Sequence, residues 1–296
     1  MPNVNMERAK QMVRASALAY ENGHAAIVAS PHLADSRLIN NVQLQQITTG
    51  IDSVLVGQTD FGVVVAFRGT QPPTFNPPEA AISSVLDWLN DADLVLKDVL
   101  YSAGKVHDGF RRSLDTLWDN GLLAAVQNAA GGGRRVFVTG HSKGGALAAL
   151  GARRLKAAGM MPAGVITFGA PRVGDEVFAN AYDVEIPNHW RFEHQDDVVP
   201  HLPPHPAILQ ALRSLAPLTA VLRQHIQKPV DHYEAVGQLC FLDWNNKLDE
   251  TASRLLEFRR EAHVVVAGTE LITDHYIDAT HLGAGKMGYV ETVNQL

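Results

Sequence analysis

The stretch VFVTGHSKGGALAALGARRL, residues 136–155, decides the fold. Its β-branched opening, Val136 to Val138, reads as a buried strand, and its alanine-rich end carries apolar residues at helical spacing. Between them a serine stands boxed by glycines, in Gly140-His141-Ser142-Lys143-Gly144. A strand entering such a corner and a helix leaving it make the strained turn of a nucleophile elbow, which exposes the serine oxygen at the top of a sheet. Glycines are required because side chains there would collide with the adjacent strand and helix. The helix N-terminus then sets the backbone N–H of Lys143 beside any negative charge that forms. The bare Gly-x-Ser-x-Gly pattern arises by chance in about one chain in ten of this length, so the flanking strand and helix carry the reading. The plain alternative is a glycine-rich turn whose serine only caps the helix. A phosphate-binding loop is excluded, because Gly-x-x-x-x-Gly-Lys-[Ser/Thr] does not occur and Lys143 precedes the glycine pair.

Outward from this corner, strand-like runs alternate with helical ones. VQLQQI and DSVLVGQT lead into FGVVVAFRGT, whose Val63 to Phe67 is a continuous apolar run of buried-strand type. RRVFVTG, AGVITFGAP and NHWRFEHQDD follow, with GFRRSLDTLWDNGLLAAVQNA and GGALAALGARRLKAAG read as the helices between them. This order predicts an α/β fold with a mostly parallel central sheet and helices on both faces. Functional residues in such sheets gather beyond the carboxyl ends of the strands. Here those positions are Arg68-Gly69-Thr70, Gly140-His141-Ser142, Gly169-Ala170-Pro171 and Asp196-Asp197. Two proline-bounded segments, near 71–95 and 205–228, are amphipathic and read as helices lying over a surface rather than as linkers. The whole chain, 1–296, reads as one domain with those two segments as lid and cap.

Composition narrows the partners. Of 296 residues, 46% are hydrophobic and 19% charged, as in a globular protein with a sizeable core. The net charge of −6 argues against a nucleic-acid partner. No run approaches the roughly 18 apolar residues of a membrane helix. The N-terminus reads as an amphipathic helix, with Met12, Ala15, Leu18 and Ala19 on one face, and not as a signal peptide. Cys240 is the single cysteine and sits in an apolar run, so a buried thiol and no internal disulfide are expected. Cytoplasmic residence is the default expectation, with secretion as the alternative if a leader has been removed.

A tetrahedral intermediate formed at such a serine needs more than a nucleophile. The elbow supplies one oxyanion donor, the Lys143 amide, and a second is expected from the loop after an earlier strand. Thr70, in FRGT, offers a backbone N–H and a hydroxyl. The base is expected to be a histidine oriented by a carboxylate, in the chain order serine, acid, histidine. Position alone leaves Asp196 and Asp197 both open as the acid.

The ordered set FRGT, DWLNDADL, KVHDGFRRSLDTLW, VTGHSKGGALAAL, VITFGAPRVGD and DDVVPHLPP resembles the class 3 lipases, the fungal-type triacylglycerol lipase branch of the α/β-hydrolases. The likeness spans about residues 60 to 204. It implies a Ser-Asp-His triad, an oxyanion hole at Thr70, and a lid helix within roughly 71 to 95. Carried over, the nucleophile is Ser142 and the acid Asp197, since Asp197 to Pro204 follows the family's Asp-x-Val-Pro-x-Leu-Pro-Pro pattern. The family's catalytic histidine lies a few residues before a tyrosine of the last helix, which corresponds here to Tyr289. His275, in Asp274-His275, is favoured as the base, with His281 as the alternative. His141 reads as a wall residue, His232 as structural, and His201 with His205 as no metal site, because Pro203 and Pro204 break a shared helix face.

The function implied is carboxylic-ester hydrolysis through an acyl-enzyme, with an ester or lipid substrate, transient contact with a lipid surface, and no cofactor or metal. Lys143 departs from the family, which usually has leucine there. A cation at the entrance would tilt the substrate toward soluble esters, so a feruloyl or other soluble-ester esterase is the first alternative. A non-catalytic hydrolase-like binding protein is the second. Oligomeric state is left open.

Overall fold

A computed structural model of the chain describes residues 4–70, 95–195, 197–203, 232–249, 275–277 and 287–296. Its strands are β1 (Gln45–Thr49), β2 (Asp52–Gln58), β3 (Val63–Phe67), β4 (Leu96–Asp98), β5 (Lys105–His107), β6 (Val136–His141), β7 (Gly164–Phe168), β8 (His189–His194), β9 (Gln238–Leu242) and β10 (Leu248–Asp249). Eight of them form one sheet in the order β1-β2-β3-β6-β7-β8-β9-β10, and β4 pairs with β5 separately. The five central strands, β3 to β9 in that order, run parallel. The antiparallel pairs are β1–β2, β2–β3 and β9–β10. The expected mostly parallel sheet is therefore present.

The helices are α1 (Met6–Leu18), α2 (His24–Ala29), α3 (His32–Ser36), α4 (Asp108–Leu117), α5 (Leu123–Ala129), α6 (Lys143–Ala157), α7 (Glu176–Glu185) and α8 (Tyr289–Gln295). Alternation along β3 sorts the two faces of the sheet. Val63, Val65 and Phe67 join the core that holds α4, α5, α6 and α7 residues, while Val64 and Ala66 join the core under α1 and α8. Both faces of β3 are thus covered, which is why its sequence is a continuous apolar run rather than an alternating one. Met12, Ala15, Leu18 and Ala19 of the N-terminal segment are all buried, as their spacing predicts.

The elbow helix α6 lies deepest. Leu147, Leu150 and Leu155 are fully buried, and each contributes about 1.5–3 kcal/mol of apolar burial. Such packing holds the start of α6 in place while the turn before it is strained.

One reading of the sequence is corrected. The segment 109–129 is not one helix, because Gly121 adopts φ 98° and, with Asn120, breaks it between α4 and α5. The apolar run around Cys240 is a parallel strand of the central sheet, β9, with the thiol buried in it. At the other end of α4, the His107 side chain caps the helix, its Nδ1 accepting from the amides of Gly109 and Phe110. A protonated ring has no lone pair for that task, and burial pushes the His107 imidazole down to about 4. The lid and cap segments, near 71–95 and 205–228, lie outside the described residues apart from Val95. Among the described residues, no helix is long and apolar enough to cross a membrane.

Candidate active site

The carboxyl ends of β3, β6, β7 and β8 bring Arg68–Thr70, Ser142, Gly169 and Asp197 to one edge of the sheet. Ser142 holds φ 58° and ψ −133°, a backbone conformation that costs a side-chain-bearing residue about 1–3 kcal/mol. Its amide donates to the Phe168 carbonyl at 2.9 Å, and its carbonyl accepts from Gly145 at 2.8 Å. Ser142 precedes α6 but its side chain makes no capping hydrogen bond, so the plain helix-cap alternative is not what the corner does.

The glycines around the serine are explained by close backbone contacts. A β-carbon on Gly140 would overlap the Gly144 carbonyl, and one on Gly144 would overlap the Phe67 carbonyl and come 2.9 Å from the Gly69 nitrogen. The exit of β3 is thus pressed directly against the elbow. Thr70, half-buried, ends that exit. Arg68 fixes it, donating to Asn22 Oδ1 at 2.8 Å and to the Ile51 carbonyl at 2.9 Å. Lys143 is the first residue of α6, and a first-turn amide has no acceptor within its own helix.

Asp197 and His275 form a couple. Nδ1 of His275 lies 3.0 Å from Oδ1 and 2.9 Å from Oδ2 of Asp197. The carboxylate also accepts from the Tyr289 hydroxyl at 2.7 Å and from the Val199 amide at 2.9 Å. Asp197 is completely buried. Burial alone would raise its pKa, but the facing His275 and the hydrogen bonds from His275, Tyr289 and Val199 hold it below the ordinary carboxylate value. An ionised carboxylate only accepts, so Nδ1 carries the ring proton and Nε2 of the neutral imidazole keeps the free lone pair. Nε2 is buried and has no hydrogen-bond partner among the described residues, Ser142 included. Catalytic hydrogen bonds are commonly long without substrate and tighten in the Michaelis complex. Gly169, at φ 55°, clears the space for this couple, since a β-carbon there would stand 2.8 Å from Asp197 Oδ2 and 3.1 Å from His275 Nδ1.

The reading of Lys143 as a cation at the entrance is corrected. Its side chain is 4% exposed and its ammonium pairs with Asp52 Oδ1 at 2.6 Å. A lysine in the first turn of a helix opposes the dipole, and Asp52 at the start of β2 offsets that charge. Breaking this pair from one side should be costly. Asp52→Ala is expected to lower unfolding stability by about 3 kcal/mol, measured by urea titration. The double variant Asp52→Asn with Lys143→Met is expected to recover to within about 1 kcal/mol of the parent. A single variant as stable as the parent would show that the pair contributes nothing.

The other sequence candidates fall as follows. His141 is buried beside the couple, its ring centroid 4.7 Å from that of His275. His232 faces Glu234 at 3.0 Å, and His201 is buried in a short 3-10 turn. Among the described residues, no cluster of His, Cys, Asp and Glu has the arrangement of a metal site. Asp196, His205 and His281 lie outside the described residues. Sequence reasoning missed Tyr20 and Asp52 as parts of the site, and neither left a signal. It placed Gly169 at the functional edge of the sheet, directly after a buried strand, without giving it a role.

Residues 64–207 match the family described as lipase (class 3). A lipase of Caenorhabditis elegans is 42% identical over 144 residues, covering 48% of this chain and 38% of that protein. A secreted mono- and diacylglycerol lipase of Fusarium solani is 34% identical over 158 residues, covering 52% of this chain and 46% of that protein. The chain spans less than half the length of these curated relatives. The solved structure of Rhizomucor miehei triacylglyceride lipase has a TM-score of 0.57 over 83% of this chain and 84% of that one, at 24% identity, a likeness of α/β-hydrolase fold. Over residues 64–207, just under half of its length, this chain is similar to the class 3 lipase family.

Proposed function

We propose that this chain hydrolyses carboxylic esters of acyl lipids, with Ser142 as nucleophile, His275 as base and Asp197 as the acid that orients it. The observation that carries this reading is the Asp197–His275 couple, its carboxylate fully buried, beside a strained serine that caps nothing. Nε2 of His275 takes the Ser142 proton as the hydroxyl attacks the ester carbonyl. The oxyanion is held by backbone amides of Thr70 and Lys143 and by the Thr70 hydroxyl. The imidazolium formed is stabilised by the ionised Asp197, and it returns the proton to the departing alcohol. Water, deprotonated by the same imidazole, then releases the acid from the acyl-enzyme. Residues 1–296 act as one domain in this reading, with the segments near 71–95 and 205–228 covering the acyl site.

The soluble-ester alternative loses its support, because the charge on Lys143 is held by Asp52. Secretion is the location that the relatives favour, since the Fusarium solani protein is named as a secreted lipase. The cytoplasmic default has no such support. A fluorophosphonate probe tests the reading directly. It is expected to give one adduct, on Ser142, in folded protein that also turns over a short chromogenic ester. Folded protein with no adduct on Ser142 would return the chain to the non-catalytic alternative.

A further inference from the structure

Tyr20 follows α1 in the turn that leads away from the sheet, and its hydroxyl reaches back to the elbow. It lies 2.8 Å from Nδ1 of His141, and Nε2 of the same ring lies 2.7 Å from the main-chain carbonyl oxygen of His275. A carbonyl only accepts, so Nε2 of His141 is the donor. In the neutral ring Nδ1 is then the acceptor, and the Tyr20 hydroxyl donates to it. The direction of the relay follows: Tyr20 O–H to His141, His141 N–H to the backbone of His275.

Tyr20 also meets the oxyanion side. A β-carbon on Gly69 would overlap the Tyr20 hydroxyl and come 2.7 Å from the His141 carbonyl. The hydroxyl therefore stands where the β3 exit, the elbow and the segment of His275 converge. That segment is tied to α8 by two backbone hydrogen bonds, Tyr289 N–H to the Tyr276 carbonyl at 3.0 Å and Val290 N–H to the Ile277 carbonyl at 2.8 Å. Those bonds hold Tyr276 and Ile277. The carbonyl of His275 itself is held from the elbow side, by His141. The side chain of His275 is fixed by Asp197 and its main chain by His141, and the two constraints together set where Nε2 points.

We propose that Tyr20 and His141 are positioning residues for the base: they hold the backbone of His275 so that its Nε2 meets the Ser142 hydroxyl. The inference rests on His275 being the base. Neither residue touches the reacting atoms in this scheme, so their loss should slow the chemical step and leave substrate binding alone.

The test is steady-state kinetics on a short-chain chromogenic ester below its solubility limit, with Tm recorded for each variant. Tyr20→Phe removes one hydroxyl and keeps the ring, and it is expected to lower kcat about tenfold with KM within about twofold. His141→Ala is expected to lower kcat about a hundredfold, the cost of misplacing a catalytic group by about 1 Å. His141→Gln, whose amide N–H donates from near the Nε2 position, is expected to recover most of that loss. If Tyr20→Phe and His141→Ala keep parental kcat, or if the losses fall on KM, or if His141→Gln gives no recovery, the relay is wrong. His275→Ala separates the two levels. Inactive His275→Ala beside fully active Tyr20→Phe and His141→Ala overturns the relay alone. An active His275→Ala overturns the base assignment, and the relay with it.

Discussion

His275→Ala is expected to lower kcat/KM on a chromogenic ester by about 10³-fold or more, and His281→Ala to leave it within about threefold. The contrast follows from how Asp197 is occupied. A buried carboxylate has about four acceptor positions. Here its partners are Val199 N–H, Tyr289 O–H and the Nδ1 of His275, which faces both oxygens. With the carboxylate completely buried, a second imidazole has no approach to it that does not displace one of these donors. An imidazole without that carboxylate lacks both its fixed tautomer and the charge that stabilises the imidazolium. His275 is partly exposed, with its Cε1–Nδ1 side toward Gly169 and its ring tilted against that of His141, centroids 4.7 Å apart. A wild-type rate for His275→Ala, with the loss appearing in His281→Ala, would reassign the base.

The choice between those histidines shows what a sequence can and cannot carry. Val63–Phe67 and Val136–Val138 declare themselves as strands, because a β run buried on both faces must be apolar throughout. The glycines at 140 and 144 likewise declare the elbow, since their need is local: each clears a backbone atom within a tight turn. Asp197 and His275, by contrast, are 78 residues apart, and their meeting depends on how α8 docks. Order along the chain only places the base after Asp197, and the family likeness narrows it to two candidates near the C-terminus. Only the fold selects which imidazole reaches the carboxylate. Lys143 makes the same point from the other side. Beside a nucleophile, a lysine reads as charge offered to substrate, and the partner that removes it from view, Asp52, lies 91 residues earlier. Residues 109–129 failed for a local reason, since their apolar spacing continues through Gly121 although the backbone there turns left-handed.

Asp197→Asn is expected to have the larger catalytic effect, a fall in kcat of about 10⁴-fold with the fold retained. The substitution keeps the volume but places an amide N–H₂ where one of two accepting oxygens stood. If that N–H₂ faces His275, it drives the imidazole to accept at Nδ1 and to carry its proton on Nε2, which removes the lone pair that the proposed mechanism offers to Ser142. If instead it turns toward Tyr289, the hydroxyl there must give up its bond to position 197 while still accepting from the His194 amide at 3.0 Å. In either orientation the imidazolium formed during catalysis has lost its counter-charge. The same residue predicts a pH signature of stability. Asp197 titrates below its ordinary value in the folded chain, so the unfolded chain binds its proton first as pH falls. Its contribution to stability is present above the unfolded carboxylate pKa of about 3.9 and is lost as pH falls through the lower folded value. Asp197→Asn cannot make that contribution, so its urea midpoint should fall less steeply than the parent's below about pH 4. Parallel acid limbs for the two proteins would show that the carboxylate is not held below its ordinary pKa, and retained turnover in Asp197→Asn would remove it from the catalytic couple.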